Sequence, residues 1–311
     1  MSKKSMGTLM LLTTAFICGT AFVAQKDGMN YIRPFTFNGL RCYIAFFSLL
    51  LVLIIFNSKT KNLVPVINKK NTSEQSTVPG NEDKKILWTG GIVCGIFLFA
   101  ASTLQQYGLI YTTAGKGGFI TALYIVLVPL YGLLRGKKVR PLLWLCVFLA
   151  VIGLYLLTIK ENFSINKGDI LVMMCAFLFA AHILAIDYFS PKTNSMKMSC
   201  IQFFFVAILS TPCMIIFDNI DWHNVFVCLI PLLYSGVFSG GIAYTLQIAA
   251  QKHAEPTVAS LLLSLESVFA VIAGILILNE GISIREFIGC VIIFVAITMA
   301  QLPENFRLKR R

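Results

Sequence analysis

One acidic residue interrupts a long apolar stretch of the chain. Glu266 lies near the middle of the run 256–278, which otherwise consists mainly of Leu, Val, Ala and Ile. A charged residue such as Asp, Lys or Arg at the centre of a membrane-spanning helix costs about 2.5–3.5 kcal/mol, and we expect a similar cost for Glu. A partner, water or protonation meets such a cost. Glu266 is therefore predicted either to contact a substrate amine or couple protons, or to form a structural ion pair or protonated packing group.

Two basic residues also lie inside or at the edge of apolar runs. Arg41 is about two turns into the run 34–56, where its side chain can snorkel to headgroups or bond a helix-end carbonyl. The alternative is a pair with Glu266 that breaks or forms during function. Lys116, at the start of the run 115–134, is either an interfacial lysine or a gate that holds a substrate carboxylate.

Hydrogen-bonding side chains recur within other apolar runs, and two interpretations of them stay open. They either line a solute pathway or tie helices together, for roughly 1 kcal/mol each. His182 adds the possibility of a proton relay, because imidazole titrates near neutrality. The candidates are Gln105, Gln106, Tyr124, His182 and Gln247.

Other kinds of chemistry lack a matching pattern in the sequence. The nine cysteines stand singly in or beside apolar runs, without the paired spacing of a zinc site. The chain has no GxxxxGK[ST] loop for a nucleotide phosphate and no nucleophile–base–acid set. We therefore expect no enzyme activity, no cofactor and no metal.

The elements that carry these residues are apolar runs of about 20 residues, the length that spans a bilayer. Hydrophobic residues make up 57% of the 311 and charged residues only 13%, against about 25% in a soluble domain. The sequence predicts an all-α membrane protein with ten transmembrane helices, numbered here as spans in chain order. The ranges are 7–25, 34–56, 86–108, 115–134, 140–159, 168–187, 197–217, 225–249, 256–278 and 283–302.

The distribution of basic residues predicts the orientation. With the N-terminus inside, 19 of the 26 Lys and Arg residues fall in inner segments and 6 in outer ones, while Arg41 lies within span two. This bias predicts a multi-pass protein of the cell (inner or plasma) membrane with both termini cytoplasmic. It also explains the net charge of +12 without a nucleic-acid partner, since basic inner loops and the tail 307–311 face anionic headgroups. A cleaved signal peptide in place of span one would reverse the bias.

The two halves of the chain repeat each other. A shift of 161 residues lays span one on span six, and a shift of 143 lays spans four and five on nine and ten. The polar stretch 57–85, predicted to be a cytoplasmic loop, accounts for the 18-residue difference. Five spans is an odd number, so the second copy must insert upside down. We predict a first repeat over 1–160 and a second over 161–311.

Short motifs in both halves resemble the EamA-type transporters of the drug/metabolite transporter superfamily. The first half has Cys18-Gly19-Thr20-Ala21-Phe22-Val23-Ala24, then Pro34 and Arg41, then Tyr111-Thr112-Thr113-Ala114-Gly115-Lys116-Gly117-Gly118-Phe119. The second has Gln251-Lys252-His253-Ala254-Glu255-Pro256-Thr257-Val258-Ala259, Leu265-Glu266-Ser267-Val268-Phe269-Ala270 and Leu278-Asn279-Glu280. The resemblance implies ten helices in two inverted repeats around a central cavity lined by spans three, four, six and eight.

The resemblance also sets the functional expectation. Such proteins move small metabolites, so we expect a secondary transporter or exporter of amino-acid-like, nucleoside-like or drug-like solutes. Alternating access would come from rocking of one five-helix half against the other. The alternative is a non-transporting membrane scaffold or sensor with the same fold. The sequence selects neither the solute nor an oligomeric state.

Overall fold

The computed structural model describes residues 3–63, 84–112, 114–134, 136, 139–158, 166–278 and 283–300, and these residues form helices without a strand. The helices are α1 Lys3–Gly28, α2 Pro34–Leu63, α3 Lys84–Tyr111, α4 Ala114–Ala122, α5 Tyr124–Leu134, α6 Pro141–Thr158, α7 Lys167–Phe189, α8 Ser195–Phe217, α9 Trp222–Val227, α10 Leu229–Leu233, α11 Tyr244–Gln251, α12 Pro256–Leu263, α13 Leu265–Leu278 and α14 Ile284–Ala300. A π-helical segment, Tyr234–Ala243, joins α10 to α11.

The helices follow the predicted spans closely. Among the described residues, eight helical stretches are long and apolar enough to cross a membrane, and they correspond to spans one to four and six to nine. Span five gives a shorter apolar helix, Pro141–Leu156. The predicted loop 57–85 is partly wrong, because α2 continues to Leu63 and α3 begins at Lys84. Residues 64–83 and the basic tail lie outside the described residues.

Spans four and nine are each broken near their centres. α4 gives way to α5 at Leu123, where a bond from Val126 N–H to the Leu123 carbonyl tightens the turn. α12 gives way to α13 at Ser264, whose hydroxyl donates to the Leu261 carbonyl at 2.7 Å. Such side-chain bonds compete with the helical ladder. Each break lies within two residues of a candidate residue, Tyr124 or Glu266.

The helices pack as two groups, and each group takes members from both halves of the sequence. In the first group, named here the α1 bundle, α1 packs against α11, α12, α13 and the π segment, which also packs against α2. In the second, the α3 bundle, α3 packs against α7 and α8, and α4 and α5 pack against α7. The bundles meet where α2 contacts α8 and where α12 and α13 contact α5 and α4. α6 and α14 pack on each other beside both.

Glycine pairs at four-residue spacing are typical of faces where helices pack closely, and the sequence has such pairs at 91 and 95 and at 132 and 136. Gly91 and Gly95 meet this expectation, since an added Cβ would lie 2.4 Å from Ile201 and 3.0 Å from the Gln202 carbonyl oxygen. The same expectation is wrong for residues 132 and 136, because nothing lies within 4 Å of either added Cβ. Gly136 instead has φ of 74°, a left-handed turn conformation that glycine adopts without strain.

Candidate functional site: a central cavity between the two bundles

A cavity lies between the α1 bundle and the α3 bundle. Its walls come from α1 and α2, from α3, α4, α5 and α7, and from the π segment, α11, α12 and α13. Both halves of the sequence therefore contribute to it. Six of the eight candidate residues line it, namely Arg41, Gln105, Tyr124, His182, Gln247 and Glu266.

Glu266 is a buried carboxylate at the cavity wall. It lies in the first turn of α13, where the helix dipole favours a negative charge. The Tyr124 hydroxyl donates to its Oε1 at 3.0 Å across the two bundles. No basic side chain forms an ion pair with Glu266 among the residues that the structure describes. Within the described part of the chain, the carboxylate is therefore held by one neutral donor.

Arg41 faces the cavity rather than the membrane surface, so the snorkelling interpretation does not fit its placement. Its Nη1 donates to Gln25 Oε1 at 2.8 Å and its Nε donates to Asn38 Oδ1 at 3.1 Å. The alternative pair with Glu266 is absent from the ion pairs of the described residues. A cation and an anion thus line one cavity, each with neutral partners.

His182 lies on α7 and is completely buried. Its Nε2 is 3.3 Å from Gln202 Oε1 on α8, and its ring meets the Tyr244 ring edge-on at 6.0 Å. Its Nδ1 has no hydrogen-bond partner in the described part of the chain. Gln202 and Tyr244 therefore fix the ring, while one ring nitrogen remains unused.

The glutamines separate into three environments. Gln105 donates to the Thr121 hydroxyl at 3.2 Å across the cavity wall. Gln247 donates to Gln251 Oε1 at 3.4 Å, and Gln251 donates to the Ile183 carbonyl at 3.2 Å. Gln106 is fully buried away from the cavity, and neither of its amide atoms has a partner among the described residues. The side chain of Lys116 lies outside the described residues.

Sequence reasoning missed several residues of the cavity wall. Cys18 lines it with Sγ 3.7 Å from the Ser239 hydroxyl, and Gln25 and Tyr244 also face it. The sequence does not single out Gln25, because it stands next to Lys26 near the end of span one and resembles part of a polar helix end. Its separation from Arg41 by 16 positions gives no helical periodicity that would reveal the contact.

A second cavity, of about 1040 Å³, opens at the end of the molecule that holds Lys252, named here the Lys252 face. Its lining includes Leu184, Asp187, Gln251 and Lys252. Leu184 follows Ile183 of the central cavity and Gln251 accepts a bond from Gln247, so the two spaces are neighbours. The opposite end of the molecule holds Lys26 and is named the Lys26 face.

The described residues contain no group of three or more His, Cys, Asp or Glu side chains placed to hold a metal ion. The central cavity instead combines one carboxylate, one guanidinium, neutral hydrogen-bonding groups and aromatic rings. Such a lining suits a small polar or amphipathic organic solute.

The fold and the cavity define an integral membrane protein with several apolar helices and a polar site buried at its centre. Comparison with protein families places two copies of the EamA-like transporter family domain on residues 5–159 and 166–301. The chain belongs to the EamA-like transporter family.

Relatives agree with this assignment. An "Uncharacterized transporter" of Archaeoglobus fulgidus is 30% identical over 96% of this chain and 87% of its own length. The "Uncharacterized transporter YoaV" of Bacillus subtilis is 22% identical over 97% of this chain and 98% of its own. A solved crystal structure with 18% sequence identity matches the fold with a TM-score of 0.73, covering 96% of this chain and 97% of its own. The protein is a membrane transporter of this family.

Proposed function

We propose that the protein is a secondary carrier that moves a small polar or amphipathic metabolite across the cell membrane by alternating access. The central cavity is its solute site, and both termini lie in the cytoplasm. The solute is amino-acid-like, nucleoside-like or drug-like, and the protein carries out no chemical conversion. The observation that carries the proposal is the placement of Glu266, a buried carboxylate that faces a cavity shared by both repeats and, among the described residues, bonds Tyr124 alone.

The packing supports two inverted five-helix repeats and ten membrane spans. Each span of the first half has a counterpart five spans later in the second half. If every span is replaced by its counterpart, the helices of the α1 bundle become those of the α3 bundle. The same exchange maps the contact between α2 and α8, and that between α6 and α14, onto itself. The two central helix breaks, at Leu123 and Ser264, fall in the exchanged spans four and nine. Broken helices that face each other at the bilayer midplane are a recurring arrangement at carrier binding sites.

Glu266 either contacts a solute amine or couples transport to protons. Both roles require a carboxylate that changes its partner or its charge during the cycle. A permanently ion-paired structural carboxylate would not do so, and Glu266 has no such pair in the described residues. Its one donor, Tyr124, belongs to the other bundle, so the bond can be broken and remade when the bundles move.

Metabolite levels of cells that overexpress the protein and of cells that lack it would first identify the solute. Counterflow in proteoliposomes, in which labelled solute enters against unlabelled solute, then tests the carrier itself. We expect exchange by the native protein and its loss in E266Q, since the amide keeps the shape and removes the charge. Absence of exchange in the native protein would favour the scaffold or sensor.

D221N is the matched control for E266Q. Asp221 is an exposed cap of α9 far from the cavity lining, and asparagine caps a helix as well as aspartate does. D221N should exchange solute at the native rate. Full activity of E266Q with unchanged pH dependence would remove Glu266 from both binding and coupling.

A further inference from the structure

Most of the closest glycine contacts join helices from different halves of the sequence within one bundle. An added Cβ on Gly19 of α1 would lie 2.5 Å from the Glu266 carbonyl oxygen, in the other half of the sequence but in the same bundle. An added Cβ on Gly236 would lie 2.8 Å from the Arg41 carbonyl oxygen, and one on Gly108 would lie 2.4 Å from Val172. At Gly19 and Gly236 the two backbones approach each other directly, and at Gly108 a side-chain methyl of Val172 fills the contact, so neighbouring helices within a bundle are closely packed.

The contacts between the bundles are looser at the glycines that face across the gap. An added Cβ on Gly39 would lie 3.3 Å from Ser210, and one on Gly118 would lie 3.5 Å from the Ser267 hydroxyl. Both distances exceed the shortest contacts made inside each bundle. At these positions the helices of one bundle therefore lie closer to each other than to the helices of the other bundle.

Two sets of side-chain bonds join the bundles at opposite ends of the central cavity. At the Lys26 face, Lys26 of α1 donates to the carbonyls of Leu109 and Thr112, at 2.6 and 3.2 Å. At the Lys252 face, Gln251 donates to the Ile183 carbonyl at 3.2 Å and Lys252 donates to the Thr193 carbonyl at 2.7 Å. Each set runs from the α1 bundle to the α3 bundle. Each set ends on backbone carbonyl oxygens. A side-chain donor can leave such an acceptor and return to it.

Both sets lie where a gate of the central cavity is needed. Lys26 follows Gln25, which lines the cavity, and Phe22, Leu109 and Ala270 form a small apolar cluster near it. At the other end, Gln247 and Ile183 line the central cavity and Gln251 lines the second cavity. The bonds among these three residues therefore lie between the two spaces.

We propose that the moving bodies are the α1 bundle and the α3 bundle, not the two five-helix repeats, and that Lys26 and the Gln251–Lys252 pair are opposing gate latches. With both latches formed, the structure is the occluded state. Release of Lys26 opens the cavity to one side and release of Gln251 and Lys252 opens it to the other. This inference rests on the proposed carrier function.

A disulfide distinguishes moving bundles from moving halves. Gly7 belongs to the first repeat and His253 to the second, but both belong to the α1 bundle. An added Cβ on Gly7 lies 3.8 Å from the His253 Cβ, within the 3.5–4.5 Å typical of a disulfide. In the oxidised G7C/H253C protein, Cys18 in the cavity wall should still react with a membrane-impermeant thiol reagent added to either side. Mass spectrometry of the peptide that contains Cys18 separates its labelling from that of the other cysteines.

The single variants G7C and H253C and the reduced double variant are the controls. Loss of Cys18 labelling from both sides on oxidation would show that the halves move, and would overturn the proposal. Failure of the pair to oxidise would also overturn it, because the two positions would then not share a rigid bundle. Cys18 labelling needs no solute, so a failure of counterflow leaves this result unaffected and counts against carrier function alone.

The latches are tested by removing one lysine at a time. K26M should raise Cys18 labelling from the side of the Lys26 face about tenfold, and K252M should raise it from the opposite side by a similar factor. The controls are K167M and K84M, which alter exposed lysines at the starts of α7 and α3 and should leave labelling unchanged. If K26M and K252M raised Cys18 labelling from the same side, or if neither variant raised it, the proposal of opposing gates would be contradicted.

Discussion

The central cavity has an acidic region and a basic region, and their charges are held in opposite ways. Arg41 gives two hydrogen bonds to side-chain oxygens of Gln25 and Asn38, so its position is fixed by its own bundle. Glu266 accepts one bond from Tyr124, which belongs to the other bundle. The guanidinium is therefore held within one bundle, whereas the bond of the carboxylate joins the two bundles. Under the proposed function, this difference predicts a positioning role for the basic region and an exchange role for the acidic region.

R41M should have the largest effect on stability, because it leaves the oxygens of Gln25 and Asn38 buried without a donor. An unsatisfied buried polar group costs about 1–3 kcal/mol. We expect a clear fall in the thermal unfolding midpoint of the detergent-solubilised protein, with R41K recovering part of it. An R41M protein as stable as the native one would show that the basic region does not fix the wall.

Y124F should have the largest effect on exchange after E266Q while leaving the fold intact. The variant removes the Tyr124 hydroxyl that donates to Glu266, and a hydrogen bond to a charged group contributes about 1.5–3 kcal/mol. Half-saturation of counterflow should change about tenfold or more. Y43F is the matched control, because the Tyr43 hydroxyl bonds Thr211 where α2 meets α8, outside the cavity lining. If Y124F and Y43F changed the half-saturation of counterflow equally, the hydrogen bond to Glu266 would have no particular role in exchange.

Q202L should have a smaller effect on exchange. Gln202 does not line the cavity but holds His182 Nε2 at 3.3 Å, so its loss frees the imidazole ring without removing a cavity group. One such bond is worth about 0.5–1.5 kcal/mol, which corresponds to a several-fold change in half-saturation. S199A on the same helix is the control, since the Ser199 hydroxyl is buried without a partner in the described residues. Native behaviour of Q202L would make His182 a packing residue.

T121V should have the smallest effect. It removes the acceptor of the Gln105 amide while keeping the shape of the side chain, so the expected change is about 1 kcal/mol of unfolding free energy. Exchange should remain close to native, because Gln105 keeps its place in the cavity wall. Unfolding and counterflow are both measured. If T121V impaired exchange as strongly as Y124F does, the residues of α3 and α4 would belong to the acidic region as well.

The helices could be predicted from the sequence because hydropathy and length determine them directly. Glu266 could be found for the same reason, since a charge within an apolar run is visible without a structure. The neighbours of a residue could not be found this way. Gln25 and Arg41, or Tyr124 and Glu266, are distant along the chain and meet only through packing of different helices. Helix pairing depends on close glycine contacts such as Gly19 against Glu266, which periodicity alone does not assign to a partner.

The mixed composition of the bundles also determines the order in which the molecule can be assembled. A ribosome delivers spans one to five first, but the α1 bundle requires spans eight and nine, and the α3 bundle requires spans six and seven. Neither bundle can close when the first repeat has been inserted alone. Arg41 and Asn38 then lie in the membrane beside Gln25 before the helices that will cover them have been synthesised. We therefore expect the two halves of this transporter to join late in biogenesis, and the first repeat expressed by itself to be a substrate for membrane quality control.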